Sequence, residues 1–246
     1  MPRASSFRYQ EIAGLLRGRI ADGEFPGGRL LPSESDLSTT YDASRVTVRK
    51  ALEALRDEGL VDSRQGFGWF VAADPLQQTL GRLGTIESQL AESGVTARRK
   101  VLDFGFVKAP RHVATALGTT RVLEVRRVNL ADGVPFARVT VWVPEDLAGD
   151  LSHATVERSS FYDLLPVEVG GAIQTIGAAA ASANDAELLE IPVGSPVLRC
   201  QRLTHSVEGR VVLFSEFVFP AHTTEFVVDL PHAASSMAPS GIRLKP

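Results

Sequence analysis

Ser44-Arg45-Val46-Thr47-Val48-Arg49-Lys50-Ala51-Leu52-Glu53-Ala54-Leu55-Arg56-Asp57-Glu58-Gly59 is the stretch on which the reading of this chain turns. Val48, Ala51, Leu52 and Leu55 recur at i, i+3, i+4 and i+7, the apolar stripe of an amphipathic helix. Ser44 is a favoured N-cap and Gly59 a favoured residue just past a C-terminus, so the spacing predicts a helix over Arg45–Glu58. Arg45 and Arg49 then stand one turn apart at its N-terminal end, with Lys50 beside them and Thr47 within reach of a phosphate. An arginine fork matches the O6/N7 edge of guanine in a major groove. The free N–H groups of a helix start attract phosphate. On their own these cations could equally be a solvated helix face, so the flanking sequence has to decide.

Upstream, Ile12, Leu15, Leu16 and Ile20 give a second helical stripe over Tyr9–Ala21, stopped by Gly23 and the turn Phe25-Pro26-Gly27-Gly28. Ser33, with Asp36 three residues on, opens another short helix that fades at Tyr41-Asp42-Ala43. Only two or three residues of turn then precede the helix at Arg45. Downstream, Leu60–Ser63 and Trp69–Val71 read as short strands around the hairpin tip Arg64-Gln65-Gly66-Phe67-Gly68. Three helices and a hairpin in this order make a helix-turn-helix with a wing.

Residues 9–71 resemble the N-terminal domain of the GntR family of bacterial regulators. The resemblance rests on Tyr9-Gln10, Gly23, Pro26-Gly27, Leu31-Pro32-Ser33-Glu34, Leu37, Tyr41, Ser44-Arg45, Thr47-Val48-Arg49, Ala51-Leu52, Gly59-Leu60, Gly66, Gly68 and Phe70-Val71. It implies that Arg45 and Arg49 read bases, that Ser33, Glu34 and Thr47 contact or position phosphates, and that Gly66 enters the minor groove. Ser44, Lys50, Gln65 and Phe67 complete the expected DNA-facing set, although Phe67 is bulkier than the polar residue such a wing would carry. The expected target is double-stranded DNA with an inverted repeat and a GT…AC core, bound by a homodimer.

Net charge does not advertise this. The 246 residues carry 26 Lys+Arg against 29 Asp+Glu, and residues 1–72 hold ten of each sign, so the case rests on where the cations sit. The single cysteine, Cys200, excludes an intramolecular disulfide and a Cys-based zinc site. The five histidines have no metal-ligand spacing. No apolar run suits a membrane span or a secretion signal, and the expected compartment is the cytoplasm.

The length suits two domains: a winged helix-turn-helix over 7–72, a polar linker over 73–80, an effector and dimerisation domain over 81–231, and a disordered tail over 232–246. After a short helix at Gly84–Gly94, strands over Arg99–Val107, Arg121–Leu130, Pro135–Val143, Val197–Val207, Val211–Pro220 and Glu225–Leu230 alternate with helices at Pro110–Gly118, Ser159–Leu165 and Asn184–Glu190. Asn184 is the expected cap of the last of these helices. Gly170–Ala181 is read as a strand, although GAAAAS also suits a helix. The fold class is therefore α+β, with an antiparallel C-terminal domain.

Residues 80–231 resemble the UTRA effector domain of the HutC subfamily, similar in fold to chorismate lyase but used to bind ligands. The markers are Leu117-Gly118, Arg127 ahead of Asp132-Gly133-Val134-Pro135, Val143-Pro144, Ser160-Phe161-Tyr162, Pro196-Val197-Leu198 and Phe219-Pro220-Ala221-His222. The resemblance implies an arginine at Arg127 for an acidic group of the ligand. Sugar-phosphate sensors tend to carry a second arginine where this chain has Asn129, a glutamate near Arg138 and Thr140, and a tyrosine near Phe219. With Thr85, Phe161, Tyr162 and Glu216 these form the candidate pocket, and the departures point to a small organic acid. Trp142, Phe161 and Tyr162 also suit a core. The function expected is a DNA-binding repressor modulated by a small molecule, with no cofactor and no metal. The alternatives are an enzyme of chorismate-lyase-like fold, for which no nucleophile–base signature is present, and an architectural DNA-binding protein.

Overall fold

The computed structural model describes residues 3–64, 66–73, 76–79 and 96–228. Gln65, Thr85, the helix expected at Gly84–Gly94 and the tail over 232–246 lie outside these residues.

The first unit has three helices, α1 (Arg3–Ala21), α2 (Glu34–Thr40) and α3 (Arg45–Asp57), and a two-stranded ribbon, β1 (Val61–Arg64) and β2 (Gly68–Val71). α2 starts on a capping box in which the Ser33 hydroxyl accepts from Asp36 N while the Asp36 carboxylate accepts from Ser33 N. α3 starts on Ser44, whose side chain accepts from Thr47 N, and ends before Gly59 at φ 74°, the left-handed conformation that favours glycine. Leu16, Leu37, Val48, Leu52 and Leu55 are fully buried together. The stripe on α3 thus faces the core and leaves Arg45, Arg49 and Lys50 outside.

The second unit is a six-stranded antiparallel sheet in the order β4-β5-β6-β9-β8-β7. Its strands are β4 (Ala97–Lys108), β5 (Arg121–Ala131), β6 (Val134–Pro144), β7 (Val169–Ala180), β8 (Pro196–Ser206) and β9 (Val211–Pro220). The β5–β6 hairpin turns through Asp132 and Gly133, both at positive φ (48° and 84°), as the favoured two-residue turn requires. The remaining helices are α4 (Arg111–Leu117), α5 (His153–Arg158), α6 (Phe161–Leu164) and α7 (Ala183–Leu189). α5 was not expected from sequence. α7 begins one residue earlier than expected, capped by Ser182 rather than Asn184, with Asp185 closing the capping box.

Four residues of the expected linker form a strand, β3 (Leu76–Thr79), paired in parallel with β10 (Thr224–Val227). The partner lies almost 150 residues downstream, and no local pattern announces such a pairing. The exit from the reading head is therefore tied to the end of the effector domain.

Candidate DNA interface and effector pocket

The DNA-facing set assembles around the start of α3. Arg49 is exposed, yet its guanidinium is held in a bidentate bond to Glu34: Nε donates to Oε1 at 2.9 Å and Nη2 to Oε2 at 2.7 Å. The Trp69 indole of β2 donates to the same Glu34 oxygen at 3.1 Å. These bonds, Arg49 first, hold the Glu34 carboxyl below the usual carboxylate range and fix it as an acceptor that aims Arg49. Arg45 donates through Nη2 to Ser35 Oγ at 2.8 Å. The Ser44 and Thr47 hydroxyls lie 2.8 Å apart at the helix start. Ser33, Glu34, Arg45, Arg49, Arg64 and Gly66 line one groove between α3 and the wing.

Phe67 departs from the expectation. Only 4% of its surface is exposed, and its ring centroid lies 4.0 Å from that of His222 in the effector domain. Phe67 is thus packed against the effector domain at the edge of the groove. His222 itself is hydrogen-bonded through Nε2 to Gly28 O at 3.2 Å, and burial pushes its pKa down to about 4.

In the effector domain, strand alternation sorts the candidate residues onto two faces. Arg127 pairs across to Val139, which pairs to Phe217, which pairs to Cys200, so all four face one way. Asn129, Val141, Ser215 and Arg202 share that face by the same registers. A pocket opens there, lined among the described residues by Arg127, Asn129, Ser160, Phe161, Tyr162, Arg202, Leu213, Ser215 and Phe217. Its volume is about 40 Å³. Four expected residues meet in it: Arg127, Asn129, Phe161 and Tyr162. Arg127 is 7% exposed and stands 5.8 Å over the Phe161 ring.

Arg202, missed in the sequence, is the second cation of this pocket. Nε donates to Gln174 Oε1 at 2.7 Å, Nη1 donates to the Tyr162 hydroxyl at 2.9 Å, and the guanidinium covers the Phe217 ring at 5.3 Å. A register argument could have found it, since Arg202 pairs with Ser215, two residues from Phe217 and therefore on the same face.

Arg138, Thr140 and Glu216 are not brought to the pocket. Arg138 is one residue from Val139 and so points to the opposite face of the sheet. There it bonds Asp185 Oδ1 through Nε at 2.6 Å and Thr140 Oγ1 through Nη1 at 3.1 Å. Glu216 accepts from Gln201 Nε2 at 2.8 Å and lies 3.5 Å from His112 on that same far side. Phe219 faces the pocket side but stacks on Phe217 inside the core, 1% exposed. Cys200 is likewise core, with its thiol pushed up to about 12 by burial, out of the reactive range.

A larger cavity, about 240 Å³, lies between the two units and is bordered by Pro26 and Leu30 on the head and by Phe136, Ile191 and Pro220 on the effector domain. It is roomier than the pocket on the sheet. The smaller pocket holds the converging charge, and charge at defined positions is what makes a site selective. Among the described residues no three metal-ligating side chains cluster, and no helix is long and apolar enough to cross a membrane.

Comparison with known proteins agrees with this division. Residues 8–71 match the model for bacterial regulatory proteins of the gntR family, and residues 92–225 match the UTRA domain. The HTH-type transcriptional repressor NagR of Bacillus subtilis (strain 168) is 29% identical over 226 residues, covering 89% of this chain and 93% of that protein. The mannosyl-D-glycerate transport/metabolism system repressor MngR of Escherichia coli (strain K12) is 30% identical over 226 residues, covering 89% of this chain and 94% of that one. Among solved structures, PhnF from Mycobacterium smegmatis superposes with a TM-score of 0.61 at 24% identity, over 90% of this chain and 99% of the other, a likeness of fold.

Proposed function

Because the chain belongs to the GntR family of bacterial regulators, with a UTRA domain behind its DNA-binding head, we propose that it is a repressor whose operator binding is set by a small organic acid held between Arg127 and Arg202. The observation that carries the ligand class is the pocket itself: two guanidiniums, a tyrosine hydroxyl and two serines around a volume of about 40 Å³. Converging cations with neutral hydroxyls suit a carboxylate group. Asn129 supplies a neutral amide where a second phosphate-binding cation would otherwise stand. The domain binds its ligand and leaves it unchanged, a reading supported by relatives that are named as regulators. A ligand that changes DNA affinity 5–150-fold needs a coupling of about 1–3 kcal/mol between the domains.

Repression is supported by the names of NagR and MngR, both called repressors. On the DNA side, Arg45 and Arg49 read bases, and Ser33, Ser44, Thr47 and Lys50 hold phosphates. Arg49→Ala is expected to weaken binding to a selected operator by about 1–3 kcal/mol and to blur its sequence preference. Lys50→Ala should weaken binding about equally on all sequences. A gel-shift titration in which Arg49→Ala keeps full sequence selectivity would remove Arg49 from the base-reading role.

The operator is an inverted repeat read by two copies of the chain. A single head buries only about 600–1,000 Å² on DNA, too little for selectivity in a genome. The dimer contact is assigned to β7, one edge of the six-stranded sheet. Its twelve residues, VGGAIQTIGAAA, carry no charge and no proline, and Ile173 is 67% exposed. Such an edge is a template for another strand, whereas the opposite edge strand, β4, carries Arg98, Arg99, Lys100 and Lys108. Light scattering should find a dimer at micromolar concentration and a monomer for Ile173→Lys; a dimer unaffected by that change would place the contact elsewhere.

A further inference from the structure

Phe67 is the residue that the DNA-binding reading leaves without a task. A wing that only followed a DNA groove would gain nothing from a buried aromatic at its tip. Here Phe67 packs in one cluster with Phe70 of the head and with Ala181, Ala186, Leu189 and Val218 of the effector domain. Its ring meets Phe70 edge-on at 5.9 Å, and the His222 ring lies against both. Two polar contacts flank the cluster: His222 Nε2 donates to Gly28 O, and Arg29 pairs with Glu190. Glu190 sits in the left-handed conformation at φ 55°, which holds the turn after α7 toward the head. Pro192, two residues on, borders the groove between α3 and the wing, and Val193 beside it is 69% exposed.

We propose that the effector domain carries a receiving site for the wing, in which Phe67 is the plug, and that wing docking and DNA binding exclude each other. Docking commits Phe67 to the effector domain and sets Pro192 at the rim of the groove between α3 and the wing, so that a duplex following the groove meets the effector domain although Gly66 itself stays exposed. The receiving site lies on the back of the effector pocket. Phe217 lines the pocket and its neighbour Val218 lines the receiving site, on opposite faces of β9. A displacement of β9 by a ligand is thereby felt on both faces at once. The exclusion rests on the head being the DNA-binding unit, and the test separates the two ideas.

The test uses the full chain with two substitutions on the effector side, neither of them at a DNA-reading residue: Ala186→Asp, which puts a charge into the cluster around Phe67, and Glu190→Arg, which sets like charges against Arg29. Two quantities are read without effector: hydrogen exchange of wing amides 66–71, and affinity for a duplex selected by the wild-type chain from a random pool. Both variants should exchange the wing amides faster and bind the duplex about tenfold more tightly. Unchanged wing exchange in Glu190→Arg, the variant that leaves α7 intact, overturns the docking. Faster exchange with unchanged or weaker DNA binding overturns the exclusion. Failure of the wild type to select any duplex would defeat the DNA reading and the exclusion with it, while the exchange data would still show whether the wing docks.

Discussion

Asp185→Ala is expected to destabilise the effector domain by about 3–5 kcal/mol. The Arg138 and Asp185 side chains are 11% and 7% exposed and bonded at 2.6 Å. Burial alone would push the Asp185 carboxyl up; the Ser182 hydroxyl and the Arg138 guanidinium outweigh it and hold the group below its usual value. Removing the carboxylate does three things. It leaves Arg138 as an uncompensated charge in a poorly solvated place, which accounts for most of the loss. It strips α7 of its capping box, in which Asp185 accepts from the Ser182 hydroxyl at 2.6 Å and from Ser182 N at 3.1 Å. It also frees α7, which supplies Ala186 and Leu189 to the wing's receiving site. Calorimetry should show a melting temperature lower by roughly 10 °C, at about 2–4 °C per kcal/mol for a unit of this size. Asp185→Asn, which can still cap, should fall between the two. A loss under about 1 kcal/mol would mean that water reaches Arg138 and that the pair is a surface bridge in energetic terms.

Much of this fold was open to reading because its signals are local. The α3 stripe, the Ser33 and Ser44 caps, Gly59 and the Asp132-Gly133 turn each act within a few residues. The strand at Val169–Ala180 was harder, since an alanine run fits either state; pairing with β8 along its whole length decides it. A strand is legible near Glu225, but its pairing with Leu76–Thr79 is not, because the parallel partners are distant in sequence and Leu76–Thr79 has no pattern of its own. The same division runs through the sites. The DNA-facing residues lie on one helix start and one turn, so spacing in sequence reports spacing in space. The effector pocket is gathered from β5, β6, β8, β9 and the start of α6, and a one-residue error of parity sends a side chain through the sheet. That is what separates Arg138 and Thr140 from Arg127, and it is why Arg202 went unseen: the sequence offers many arginines, and only register says which of them face each other. Phe67 is legible in sequence as too bulky for a wing tip, but most of its partners come from the other domain.

For the ligand, the largest effect is expected from the two pocket arginines. Arg127→Ala and Arg202→Ala should each weaken binding of a small carboxylate 10- to 100-fold, since a hydrogen bond to a charged group contributes about 1.5–3 kcal/mol. The two should differ in kind. Arg127 is nearly buried and stands over Phe161, so its loss removes both a charge and packing from the pocket floor. Arg202 is already oriented by Gln174 and Tyr162, so it meets a carboxylate with little further loss of side-chain freedom. Gln174→Ala should therefore weaken binding by a smaller factor without removing a charge, a signature that separates orientation from attraction. Asn129→Arg adds a third cation to the same face and should move preference from carboxylates toward phosphates. Calorimetry of the full chain against short mono- and dicarboxylates and against sugar phosphates reads all four variants. If a sugar phosphate binds tightly to the wild type and equally well to Arg127→Ala and Arg202→Ala, the ligand sits elsewhere, and the apolar cavity of about 240 Å³ between the domains becomes the place to look.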